Sequence, residues 1–183
     1  MEFMMAKKQQ WAEIREIYLE AFPKRERKPY FVLRRSVRKK KAIVMTAVDG
    51  EQMLGFAVLI PYKDMVMVDY LAVSSKIRSK GTGSYMIQNI RSRFSDKKVV
   101  LLIERVDEEA ENKEQRIARR RFYLKNGFVP ANIFITGASG EMEIMNCGGM
   151  VSEEDYMGIQ EYALGRLLFR LSRICIKLSL IHI

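Results

Sequence analysis

Leu71-Ala72-Val73, then Arg78-Ser79-Lys80-Gly81-Thr82-Gly83-Ser84: an apolar run stops, two glycines follow close together, and a helical pattern begins. Upstream, residues 65–73 (MVMVDYLAV) read as a strongly apolar strand. Downstream, Met86, Ile87, Ile90 and Phe94 fall within about 100° of arc on a helix. Glycines let a backbone turn its N–H groups inward and approach a ligand closely. The start of a helix adds unpaired N–H donors and roughly half a positive charge. The stretch therefore reads as an anion cradle suited to a phosphate or diphosphate. Its spacing excludes two common nucleotide loops. A Walker loop needs GxxxxGK[ST], which is absent, and a Rossmann turn needs a third glycine where Met86 stands.

The rest of the chain falls into place around this turn. Trp11, Ile14, Tyr18 and Phe22 mark an amphipathic helix closed by Pro23, and a second short helix is expected over 30–38. Residues 43–48 and 52–60 flank Asp49-Gly50 and predict a β-hairpin, with Pro61 ending its second strand. A buried strand is expected at 99–103, and a helix over 112–126 stopped by Asn126-Gly127. A second hairpin is expected at 132–137 and 141–146, then a final helix from Ser152 whose first turn carries Glu153, Glu154 and Asp155. Strands and helices interleave, with antiparallel hairpins at both ends and one βαβ unit between them. The expected fold class is α/β, a single domain with a central mixed sheet flanked by helices, plus a C-terminal amphipathic helix. The boundaries expected are a main domain over 1–150 and a helical extension over 151–183, packed on that domain or on a dimer partner.

Composition removes several chemistries. The chain has 183 residues, 48% hydrophobic and 30% charged, which suits a globular domain that needs neither disulfides nor metal to fold. Cys147 and Cys175 form no CxxC, and the single histidine is His182, so a zinc site or a histidine-based nucleophilic unit has no material. Residues 1–10 lack the apolar core of a secretory signal, and no 18-residue apolar run occurs, so a cytoplasmic protein without a membrane span is expected. The net charge of +10 is uneven: residues 24–41 hold ten basic residues and one acid. A basic surface spread over the fold is not what this describes, which argues against nucleic acid as the main partner.

A second motif lies about 40 residues beyond the glycine turn: Phe122-Tyr123-Leu124-Lys125-Asn126-Gly127-Phe128. At about 100° per residue Tyr123 shares a face, within about 60°, with Arg116 and Arg119, opposite Ile117 and Leu124. The pair of motifs, R-x-x-G-x-G after an apolar strand and Y-x-x-x-G-F closing a later helix, resembles the GNAT acyltransferases, over residues 10 to about 147. One departure is visible. Family members often carry an asparagine seven residues before the tyrosine, and here Arg116 stands there; Asn112 is four residues too early to inherit the role.

The resemblance implies an acetyl-coenzyme A-dependent N-acetyltransferase, with direct attack of an amine on the thioester and no metal. The backbone of Leu71, Ala72 and Val73 would pair with the pantetheine arm, and the amides of Arg78, Ser79, Lys80, Gly81, Thr82, Gly83 and Ser84 would bind the diphosphate. Arg116 is a further candidate cofactor contact. Tyr123 would protonate the departing thiolate, and Glu104, at the end of the 99–103 strand, is the preferred base, with Asp69 or water as alternatives. Six acids between Glu104 and Glu114 read either as a lure for cationic amines or as a solvated helix start.

Two features fit other classes. Arg34-Arg35-Ser36-Val37-Arg38-Lys39-Lys40-Lys41 could contact RNA or ribosomal phosphates, receive the coenzyme's 3′-phosphate, or simply face solvent; nearby Tyr30 and Phe31 lack the spacing of an RNA-stacking motif. Arg166, Arg170, Arg173 and Lys177 line one side of the last helix, which suits packing on its own sheet, on a twin subunit, or on an acidic membrane surface. The alternatives kept are thus a nucleic-acid- or ribosome-binding module and a non-catalytic acyl-coenzyme A sensor. The acceptor stays open among small amines, amino sugars, peptide N-termini and protein lysines, and a homodimer is possible.

Overall fold

The computed structural model describes residues 1–24, 26–77, 81–137, 140–172 and 174–177. The chain forms two compact units, Met1–Ser95 and Asp96–Ile183.

The first unit contains β1 (Glu2–Met5), α1 (Trp11–Ala21), α2 (Tyr30–Arg38), β2 (Ile43–Asp49), β3 (Gln52–Tyr62), β4 (Met65–Val73) and α3 (Thr82–Arg93). Its four strands pair in chain order, all antiparallel. The β2–β3 turn is the expected Asp49-Gly50, with Gly50 at φ 59°. The β3–β4 hairpin runs on through Pro61 to Tyr62, which faces Met65, and Lys63 turns it at φ 49°. Pro61 was expected to end β3, but its position next to the hairpin end lets the ladder continue past it. The β1 strand was not expected: four residues with no alternation give little signal, and it is read only through its pairing to β2.

Buried Ile14, Ile17 and Tyr18 turn α1 inward, and Tyr18 meets Tyr70 of β4 edge to face at 4.9 Å. These rings also hold the loop between α1 and α2: the Tyr18 hydroxyl donates to the Lys28 carbonyl at 2.8 Å, and the Lys28 amide donates to the Tyr70 hydroxyl at 3.0 Å. A bulge falls at Asp69, since Val58 faces Tyr70 and Leu59 faces Val68. Gly55 presses against β4, and a Cβ there would stand 2.4 Å from the Ala72 carbonyl oxygen.

The second unit contains β5 (Lys98–Glu104), α4 (Lys113–Lys125), β6 (Val129–Gly137), β7 (Gly140–Cys147), α5 (Glu153–Leu164), α6 (Arg166–Ser172) and β8 (Cys175–Lys177). Its strands run β5-β7-β6-β8, again all antiparallel. Ser152 caps α5, its hydroxyl accepting from the Asp155 amide at 3.1 Å, as the acidic first turn predicts. The α4 helix ends with Gly127 at φ 81° and the Phe128 amide bonded back to the Tyr123 carbonyl at 3.1 Å.

The C-terminal helix is present but shorter than expected. Gly165, at φ 80°, stops α5 after Leu164, α6 follows for seven residues, and Cys175–Lys177 then pair with Phe134–Thr136 as a strand. Lys177 therefore does not share a helix with Arg166 and Arg170, and Arg173 lies outside the described residues. Among the described residues no helix is long and apolar enough to cross a membrane.

Candidate active site

In the first unit, β4 leads into the glycine turn. Leu71 and Val73 are partly exposed while Ala72 is buried. Beyond them the Ser74 amide bonds the Leu54 carbonyl at 2.8 Å, so the chain stays anchored to β3 as it leaves the sheet. Arg78, Ser79 and Lys80 lie outside the described residues. Gly81 is the N-cap of α3 and takes the left-handed φ of 112°, and a Cβ there would meet nothing within 4 Å among the described residues. The position thus favours glycine for its backbone while the space beside it is open. Gly83 and Ser84 lie in the first turn, where a helix offers its amides no acceptor of its own. No acidic residue stands in that turn to compete for an anion. Thr82 is buried and anchors the helix start.

Asp69, the alternative base, is not free. Lys28 Nζ donates to both of its carboxylate oxygens, at 2.8 and 2.7 Å, with both side chains largely covered.

In the second unit, Tyr123 is buried on α4, its ring edge-on to Phe122 at 5.0 Å and to Phe128 at 5.5 Å. Its hydroxyl makes no hydrogen bond among the described residues. Burial pushes its phenol up to about 12, partly offset by the Arg119 charge. A protonated, unpartnered phenol is a proton donor in waiting.

Glu104 has the opposite character. It is 4% exposed, and Arg119 Nη1 donates to Oε2 at 2.8 Å while Arg116 Nη2 stands 3.4 Å from Oε1. Asn112 Nδ2 reaches both oxygens, at 3.2 and 3.3 Å. Arg116 is itself used up: Nε donates to Asn112 Oδ1 at 2.7 Å and Nη1 to the Arg105 carbonyl at 2.9 Å. Glu104, the preferred base, and Arg116, the further candidate cofactor contact, are partners in one network. Both carboxylate oxygens are thus engaged by guanidiniums and an amide, so Glu104 holds α4 and its approach rather than presenting a bare oxygen to an amine.

One further turn along α4, Arg120 donates to the buried Glu143 of β7 from Nε at 3.0 Å and Nη2 at 3.3 Å. This pair was not anticipated. The signal was there in outline: Arg116, Arg119, Arg120 and Tyr123 recur at helical spacing on one face, opposite acids at sheet positions. Two acids of the loop before α4 make local bonds: Glu108 pairs with Lys113, and Asp107 Oδ1 accepts from the Glu109 amide at 3.0 Å.

Against known families, residues 40–130 match the acetyltransferase (GNAT) domain. The chain belongs to the GNAT family of acetyltransferases. No curated protein matches the sequence. Among solved structures, one assigned to the GNAT family from Bacteroides thetaiotaomicron is 20% identical, with 92% of this chain and 99% of that chain covered and a TM-score of 0.73. An aminoglycoside 6'-N-acetyltransferase complexed with coenzyme A is 14% identical, covering 80% and 96%, with a TM-score of 0.64. The ribosomal-protein-alanine N-acetyltransferase of Brucella melitensis is also 14% identical, covering 80% and 99%, with a TM-score of 0.59. The expected α/β fold, sheet strands flanked by helices, is borne out, and this GNAT chain is an acyltransferase.

Proposed function

We propose that this GNAT chain moves an acetyl group from acetyl-coenzyme A to a primary amine by direct attack on the thioester. The observation that carries the reading is Gly81, left-handed and open on its Cβ side at the acid-free start of α3, inside the matched domain. Amides from Gly81 to Ser84 hold the diphosphate, and the backbone of Leu71–Val73 pairs with the pantetheine arm. The coenzyme A complex of the aminoglycoside relative supports that choice of donor. The thioester supplies the activated acyl group.

The acceptor nitrogen must reach the carbonyl as a free amine, although an alkylammonium titrates near 10.4. As the C–N bond forms and the C–S bond breaks, one proton leaves nitrogen and one reaches sulfur. Tyr123 gives the second. We assign the first to water, because Glu104 and Asp69 are both occupied by cations. The relatives' acceptors, an aminoglycoside and a ribosomal-protein alanine, support amines as the acceptor class.

A free-thiol release assay with acetyl-coenzyme A across amino sugars, polyamines, peptides and lysine-bearing proteins tests the reading. We expect release with at least one amine class, and loss of acetyl-coenzyme A binding in Gly81→Glu. That variant places a carboxylate at the diphosphate and forces a side chain to φ 112°. If the wild-type chain binds no acetyl-coenzyme A by calorimetry, the enzyme reading falls.

A further inference from the structure

Residues 24–41 carry ten of the chain's 32 basic residues and a single acid, and the fold uses only part of that charge. Arg27 donates to the carbonyls of Leu19 and Phe22 at 2.8 and 3.3 Å, Lys28 closes on Asp69, and the Arg34 guanidinium lies 4.2 Å above the Trp11 ring. Arg35, Arg38, Lys39 and Lys40, around the end of α2, are different. All four are exposed, and among the described residues none has a carboxylate partner. A helix C-terminus favours cations by roughly 0.3–1 kcal/mol each. That accounts for some of them, but Arg34 with Arg38 and Arg35 with Lys39 stand four apart, where like charges repel. Lys40 adds another cation on the turn that leaves the helix, at φ 57°.

The same face carries a bare aromatic ring. Phe31 is 71% exposed, and at about 100° per residue Phe31, Arg35 and Arg38 fall within about 60° of one another. The other apolar side chains of α2 are at least partly covered: Leu33 is buried, and Val32 and Val37 are partly so. Tyr30 is also turned in, its hydroxyl donating to the Trp11 carbonyl at 2.7 Å.

We propose that this face of α2 and the turn that follows it, Phe31 with Arg35, Arg38, Lys39 and Lys40, binds single-stranded nucleic acid. The ring stacks on one base and the four cations follow the phosphates, the combination that sequence-tolerant single-strand binding uses. An acidic membrane surface is the poorer fit, because a helix lying on lipid needs a band of exposed apolar side chains and α2 presents one ring over nine residues. The proposal does not rest on the acetyltransferase reading, since none of these side chains takes part in acyl transfer.

Fluorescence anisotropy of the full chain with labelled oligouridylate and oligothymidylate of about 20 nucleotides tests it. Binding of either strand is expected to weaken with salt at a log–log slope near −3, about −0.7 for each of four phosphates neutralised. Arg35→Glu/Arg38→Glu is expected to lower affinity at least about tenfold, and Phe31→Ala several-fold with an unchanged slope. Both variants should keep wild-type circular dichroism and thiol release. Absence of binding at low salt, equal binding by the double variant, or displacement of the strand by acetyl-coenzyme A overturns the proposal. So does tighter binding to phosphatidylglycerol vesicles or polyglutamate than to the oligonucleotides.

Discussion

Tyr123 and Glu104 sit in the same unit and differ in what their neighbours leave them to do. The phenol has two aromatic rings beside it and no hydrogen-bond partner among the described residues, so its proton is held until a better acceptor arrives. Tyr123→Phe is expected to cut kcat by about 10²-fold or more, the usual contribution of a general acid, with acetyl-coenzyme A affinity retained. Because the phenol is pushed up to about 12, the wild-type rate should rise with pH as the amine deprotonates, with no alkaline fall from this group below about pH 11. Pre-steady-state rates over pH 6–10 check both points. Glu104, by contrast, holds Arg116 and Arg119 in place. Glu104→Gln leaves both guanidiniums short of a counter-charge and is expected to cost roughly 1–3 kcal/mol in urea unfolding, below the full cost of a wholly buried pair because Arg119 is partly exposed. The acidic limb of the kcat/KM profile should survive the substitution. Its disappearance would restore Glu104 as the base.

Between strands, Gly55 stands opposite Val73 in the ladder and close under the Ala72 carbonyl. Gly55→Ala must push β3 away from the part of β4 that we assign to pantetheine. A loss of about 1–3 kcal/mol is expected from such overpacking, together with weaker acetyl-coenzyme A binding, read by thermal unfolding and calorimetry on the same samples. Glycine inside an apolar strand signals a bulge or a close approach, but the sequence does not say which neighbour it meets. Other elements were plain. Asp49-Gly50, Asn126-Gly127 and Ser152 with its acidic first turn each act through local backbone chemistry, and each stands where expected. The Asp69 bulge, the β1 pairing and the strand at Cys175–Lys177 depend on partners far along the chain, which no local pattern records.

Across the whole chain, the family was legible because two motifs about 40 residues apart had to agree, and chance matches to both are rarer than to either. The candidate site was legible in part. Tyr123 and Gly81 carry signatures in backbone conformation and helix face, whereas the role of Glu104 depends on whether arginines one and two turns of another element away reach it. Charge counting found the basic segment but could not divide it. Only the structure separates Arg27, Lys28 and Arg34, which hold the fold together, from the exposed cations at the end of α2.

The short β8 has an effect out of proportion to its three residues. It lies along Phe134–Thr136 of β6 and covers main-chain groups that would otherwise face water in a row. A chain cut after Ile174 would present that row as a template for another molecule's backbone. Such a truncation is expected to scatter light and bind thioflavin on standing while the intact chain stays clear, which would make β8 a guard against fibril growth.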